Sequence, residues 1–213
     1  MSSVVHPTSS QSHKTLDTQR SYSMSRESKE STQAVVSIPA DDLSRDLAIA
    51  QPDTDGNLAH IGIVGDTYTI LLTGKDTSGR FCLIDMHIPP GGGPPPHRHD
   101  FEETFTILEG ELEFTFRGVK QTVGSGATIN IPANAPHRFR NASAEAARLL
   151  CICSPAGQEE FFMRVGIPVA TRTTPPPRLD GAAEAEFRAK AEALAPEYRT
   201  ELLPPAYMKS RRQ

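Results

Sequence analysis

The chain has 213 residues, a formal net charge of −4 and a hydrophobic fraction of 37%. That length suits one domain of ordinary size with tails, and the apolar deficit lies at the termini, so the middle can still build a core. The mild acidity gives no electrostatic case for nucleic acid or an anionic membrane, and no apolar run approaches the roughly 20 residues of a membrane-spanning helix.

The N-terminus carries no apolar stretch of the secretory kind. The three cysteines, Cys82, Cys151 and Cys153, are too sparse and odd in number for a disulfide framework. A reducing, cytoplasmic setting is therefore expected. Residues 1–36 are rich in Ser, Thr and Gln, too polar to offset the entropy of ordering, and read as a disordered tail. Asp17, Glu27 and Glu30 argue against a transit peptide, which avoids acids, and Met24 is an alternative initiator. The rest divides into residues 37–170, a β barrel with an N-terminal extension, and 171–213, a Pro-rich strap followed by a helix.

Asp41 to Ala48 is expected to form one short helix. β signals follow: Tyr68 to Thr73, a turn at Lys75 to Gly79, then Arg80 to Ile88. In that second strand Cys82, Ile84, Met86 and Ile88 share one face, and Phe81, Leu83, Asp85 and His87 the other. Further strands are expected at His97–Leu108, Glu111–Arg117, Gln121–Val123, Ala127–Ile131, His137–Asn141 and Ala147–Ser154. Many short strands between Gly and Pro punctuation make an all-β sandwich or barrel. Thr173 to Pro177 reads as an extended polyproline strap. Gly181 to Leu194 reads as a helix whose stripe of Phe187, Ala191, Leu194 and Tyr198 docks on the barrel or a partner subunit, with Pro196 ending or kinking it.

Four residues carry chemistry. His97 and His99 stand two apart on strand sequence, so both rings face one way with Cα atoms roughly 6.5–7 Å apart. Glu103 keeps the same phase if no bulge intervenes, and His137 arrives from another strand. Neutral imidazole and carboxylate suit a divalent first-row ion, Mn, Fe, Co, Ni or Zn. Three nitrogens and one oxygen leave coordination positions open, which marks a catalytic rather than a structural site. Phe101 and Phe105 share the phase of His99 and Glu103. Phe139 follows His137 inward, and Leu112, Phe114 and Phe116 form one inward face. Arg98, Arg138 and Arg140 point away. The expected lining, with Met86, is apolar and aromatic. It disfavours phosphorylated substrates, which need Arg or Lys, and favours a small apolar or aromatic molecule. Cys151 and Cys153 read as small apolar residues on one face of a buried strand. His60 and His87 read as structural, and His6 and His13 fall in the tail.

These residues resemble the cupin family. Gly91, His97, His99, Glu103 and Gly110 fill every slot of its first motif. Gly126, Pro132, His137 and Asn141 fill its second, where Asn134 replaces an inner Gly and, being tolerant of the left-handed conformation, should keep the turn. The resemblance covers about residues 66–165 and implies a double-stranded β-helix, a small jelly roll, with the ion inside. The approach Gly91 to His97, with Leu108 to Glu111, is similar to the flavonol (quercetin) dioxygenase-like group. In such enzymes the ligating Glu also takes the substrate proton, which carries onto Glu103 as the catalytic residue. The expected activity is thus a metal-dependent dioxygenase acting on an aromatic or enolisable small molecule. A non-redox isomerase, lyase or cyclase and a non-catalytic ligand-binding cupin stand as alternatives. A homodimer is expected by resemblance.

Overall fold

The computed structural model describes residues 37–208. The expected disordered tail of residues 1–36, with His6, His13 and Met24, lies outside the described residues. Asp41 to Ala48 forms no helix. The Asp42 carboxylate instead accepts the backbone N–H and the hydroxyl of Ser44 at 3.1 and 2.6 Å, a local bond that competes with helical pairing.

The barrel begins with β1 (His60–Ile63) and β2 (Asp66–Leu72), then a one-turn α1 (Gly74–Thr77) where only a turn is expected, and β3 (Cys82–Ile88). Next come β4 (His97–His99), β5 (Glu102–Glu109), β6 (Glu111–Phe116), β7 (Val119–Gly124), β8 (Thr128–Ile131), β9 (His137–Arg140) and β10 (Ala147–Ser154). The chain then forms α2 (Gln158–Val165), β11 (Ile167–Pro168), α3 (Gly181–Leu194), a 3-10 turn over Ala195–Tyr198, and β12 (Thr200–Leu202).

Two antiparallel sheets face each other as a jelly roll. One runs β11-β1-β2-β3-β10-β5-β8 and the other β12-β4-β9-β6-β7. Period-two alternation explains the central strands. In β10 Ala147, Leu149, Cys151 and Cys153 are buried while the residues between them are more open. Opposite them, in register, β3 buries Cys82, Ile84, Met86 and Ile88. Asp85 is also buried, on the other face of β3, because Arg148 across the strand pair grips it with Nε at 3.1 Å and Nη2 at 2.6 Å. The strap packs on the same outer face. Thr67 donates its hydroxyl to the Thr174 carbonyl at 2.8 Å, and a Cβ on Gly62 would overlap Pro176.

The largest correction inside the barrel concerns the strand expected over His97–Leu108. It breaks at Asp100 and Phe101, so β4 belongs to one sheet and β5 to the other. The helix α2 has no counterpart among the expected elements. It packs Phe161, Phe162 and Val165 inward, with the Phe162 ring 4.9 Å from that of Tyr68. Buried Glu159 ties it to the barrel by accepting the Gly74 and Gly157 N–H groups at 2.6 and 2.8 Å. The end of the chain returns to the sheet: β12 pairs with β4, Leu202 opposite His97 and Thr200 opposite His99.

Candidate metal centre

The site lies between the two sheets. β4 supplies His97 and His99, β9 supplies His137 directly opposite His97, and β5 supplies Glu103 from the facing sheet. Glu103 therefore reaches the histidines by a corner of the chain and not by continuing their strand. The ligand atoms of His97, His99, Glu103 and His137 all lie within 4.8 Å of one another, and all four residues are buried.

The surrounding turns fix these side chains. Asn134 adopts φ +67°, the left-handed conformation expected of it. Its N–H donates to the His99 carbonyl at 2.7 Å and its amide to Asp100 at 3.1 Å, joining the two ligand-bearing segments. Fully buried Asn141 clamps the approach to His97. Its backbone N–H donates to Gly92 and its carbonyl accepts from Gly91, both at 2.9 Å, and its side-chain amide donates to Ile88 at 2.9 Å. Gly93 sits at φ +126° with Phe139 so close that a Cβ would overlap its carbonyl oxygen. Glycine is needed there on both counts. The Gly93 N–H donates at 3.2 Å to Asp66, a buried carboxylate that also accepts the Tyr68 hydroxyl at 3.2 Å. Burial pushes the Asp66 carboxyl up to about 7.

Each imidazole is oriented from behind. The Nδ1 atoms of His97, His99 and His137 lie 2.9, 3.0 and 2.9 Å from the carbonyl oxygens of Pro95, Phe101 and Ala135. A carbonyl only accepts, so each Nδ1 carries the proton and each Nε2 presents a lone pair when the ring is neutral. Burial pushes His97 down to about 3, with His137 adding to the effect, so that ring is neutral at physiological pH. Two of these Nε2 atoms, of His99 and His137, lie 3.0 and 3.1 Å from Oε2 of Glu103. Lone pairs facing a carboxylate at such distances require positive charge between them, either protons on the rings or a cation in their place. Burial pushes the Glu103 carboxyl up, but the hydrogen bonds to His137 and His99 outweigh it and hold the group well below its ordinary range. Three imidazole nitrogens and one carboxylate oxygen fit a divalent first-row ion.

Cys151 and Cys153 are buried on one face of β10. They also meet the site, which the reading of them as plain apolar residues misses. Cys151 Sγ lies 3.4 Å and Cys153 Sγ 3.9 Å from Oε1 of Glu103. Burial pushes the Cys151 thiol up to about 12, so it remains S–H.

A cavity of about 80 Å³ opens beside His97 and Glu103. His99 and His137 lie behind them and do not line it. Met86, Phe105 and Phe139 stand on its wall, as expected of them. Phe101 and Phe114 do not. Phe101 follows the corner after β4 and stacks flat on His99, with centroids 3.9 Å apart and planes at 6°. Phe114 packs behind the wall, 5.6 Å from Phe105 and 5.5 Å from Phe139. Much of the remaining wall comes from residues outside the expected set, among them Tyr68 of β2, Gln158, Phe161 and Phe162 of α2, and Phe187 and Ala191 of α3. Of these only the stripe on α3 has a readable signal. No Arg or Lys lines the cavity, and Arg98 points outward to pair with Glu201. His60, bonded to Thr69 at 2.8 Å, and His87 also lie off the cavity.

The Cupin domain family matches residues 84–153, which include all four candidate ligands. Among curated proteins, quercetin 2,3-dioxygenase of Bacillus subtilis (strain 168) is 29% identical over 128 residues, 60% of this chain and 37% of that protein. The polyketide synthase CurC of Streptomyces cyaneus is 35% identical over 94 residues, 43% of this chain and 60% of that protein. The chain thus spans less than two thirds of the length of either relative. Among solved structures, the polyketide cyclase RemF from Streptomyces resistomycificus is similar at 22% identity and a TM-score of 0.40, covering 71% of this chain and 94% of that one. No described helix is long and apolar enough to cross a membrane. With its jelly roll and its buried His-His-Glu-His cluster, the chain carries a cupin domain over residues 84–153.

Proposed function

We propose that this protein is a metal-dependent dioxygenase that acts on a small, apolar, aromatic or enolisable molecule. The observation that carries the reading is the junction of the ligand cluster with an uncharged aromatic cavity, at which His97 and Glu103 are the two ligands exposed. The likeness to quercetin 2,3-dioxygenase supports it.

A divalent ion held by His97, His99, Glu103 and His137 supplies a Lewis acid and open coordination positions when bound. The chain's own residues do the rest. Phe105, Phe139 and Phe161 exclude water and hold an apolar ring by contact. Glu103, the one carboxylate among the described residues on the cavity wall, accepts the proton of the substrate's acidic hydroxyl or C–H. The absence of a lining cation selects against phosphate esters.

Size narrows the substrate. A cavity of about 80 Å³ is smaller than the roughly 150 Å³ that accommodates one benzene ring. A three-ring flavonol needs a larger opening of the wall than a single-ring or smaller diketone, catechol or enol does. The likeness to CurC favours a second reading, a non-redox cyclase using the same ion and the same base.

Oxygen uptake separates the two. Protein reconstituted in turn with Mn, Fe, Co, Ni or Zn is expected to consume oxygen with at least one small diketone, catechol or flavonol. Substrate loss without oxygen consumption would assign the cyclase class, and no uptake under any pairing would refute the dioxygenase reading.

A further inference from the structure

The two carboxylate oxygens of Glu103 have different partners. Oε2 faces the Nε2 atoms of His99 and His137 at 3.0 and 3.1 Å. Oε1 faces away from them toward β10, where Cys151 Sγ lies at 3.4 Å. Cys153 Sγ is farther, at 3.9 Å, and sits 3.6 Å from Cys151 Sγ. Among the described residues, the side-chain hydrogen bonds to Oε1 come from these thiols alone. All the groups concerned are buried, and a buried carboxylate oxygen without a donor is costly.

We infer that Cys151 is the positioning residue of this centre: its S–H holds Oε1 of Glu103, so that the carboxylate meets an ion through Oε2 alone. The inference rests on the metal-binding reading of the four ligands and not on the reaction they serve. A thiol is a weak donor, and here it is the closest one to Oε1. The ligand cluster and the thiol-carboxylate cluster share a single residue, Glu103, so the thiols stand behind the carboxylate and outside the set of three imidazoles. One-oxygen binding leaves free a position that a two-oxygen carboxylate would fill, and open positions distinguish a catalytic centre. Partners that orient a ligating carboxylate typically govern affinity by about 10–100-fold.

The test is a titration of the full chain with Co(II), followed by equilibrium dialysis and visible absorption. Wild type is compared with Cys151→Ser, which keeps a donor, Cys151→Val, which fills the space without one, and Cys151→Ala, which does neither. Thermal melts identify any variant that fails to fold, and the Ala variant replaces Val if the larger side chain is not accommodated. Positioning predicts that Ser stays within about 3-fold of wild type. It also predicts that Val and Ala lose about 10-fold or more in affinity, with a changed Co(II) absorption intensity as the carboxylate swings. Packing alone predicts the reverse order, Val near wild type and Ser grouped with Ala. That order, or four equal affinities with one common spectrum, would overturn the inference while leaving the metal centre intact. Absence of Co(II) binding by wild type would overturn both.

Discussion

Replacing His97 and His99 together by alanine is expected to abolish metal retention. Wild type should keep about one divalent ion per chain after exhaustive dialysis, and the double variant less than a tenth of that by elemental analysis. The double variant retains His137 and Glu103, one nitrogen and one oxygen donor, on facing sheets. Neither closes a chelate through its own strand. The loss should be larger than that from any change around the centre, because direct ligands are removed and not merely the groups that orient them. Folding should persist. The two rings are buried polar groups, so their removal relieves a desolvation cost that offsets part of the cavity penalty of roughly 2–5 kcal/mol for large-to-small changes. Circular dichroism of the variant would check this. Full occupancy in a folded double variant would remove both rings from the ligand set.

The second large effect concerns Asp66, which holds the Gly93 turn from beneath. Stability should fall as pH rises from about 4 to about 7, and this part of the fall should vanish in Asp66→Asn. The carboxyl titrates at about 7 in the folded chain because burial disfavours its charge, against 3.8 for an ordinary aspartate. Between those values the folded protein keeps a proton that the unfolded chain has released. The corresponding stability is fully present below the unfolded value and is lost as pH rises through the folded one. A rise of that size corresponds to about 4 kcal/mol. Asparagine keeps Oδ1 as the acceptor for the Gly93 N–H and puts an uncharged NH2 group, a donor to the Tyr68 hydroxyl oxygen, in place of the second carboxylate oxygen. Other carboxylates, Glu103 among them, titrate in both proteins and cancel in the comparison. Urea denaturation of both across pH 4 to 8 should show the variant gaining on wild type with rising pH. A difference between the two that does not change with pH would contradict the burial of an ionisable Asp66.

The four candidate ligands were legible in the sequence because metal chemistry restricts residue types and because strand period puts His97 and His99 on one face. The reason offered for Glu103 was only half right. Its spacing from His99 matters, but the chain turns a corner at Asp100 and Phe101, and a corner between sheets leaves no periodic signal. The same corner carries Phe101 off the cavity and onto the face of His99. Strand positions with clean alternation, such as β3 and β10, and the helix Gly181–Leu194 were readable from pattern alone. The helix α2 was readable in principle, since Glu159 and Glu160 open it and Arg164 closes it, an order that suits the helix dipole. Its short run Phe161-Phe162 reads equally as strand. β12 carries no signal of its own, because Thr200 to Leu202 becomes a strand only through pairing with β4. The contact of Cys151 with Glu103 depends on β10 lying beside β5, a long-range pairing that local sequence does not encode.

X-ray absorption of the protein loaded with one equivalent of cobalt tests the central claim most directly, because it counts the atoms that bind the ion. A centre built from His97, His99, Glu103 and His137 predicts a first shell of nitrogen and oxygen only, with the outer-shell pattern of about three imidazoles. A sulfur shell would contradict it and place the ion at Glu103, Cys151 and Cys153, the other cluster among the described residues whose donor atoms lie within 4.8 Å of one another.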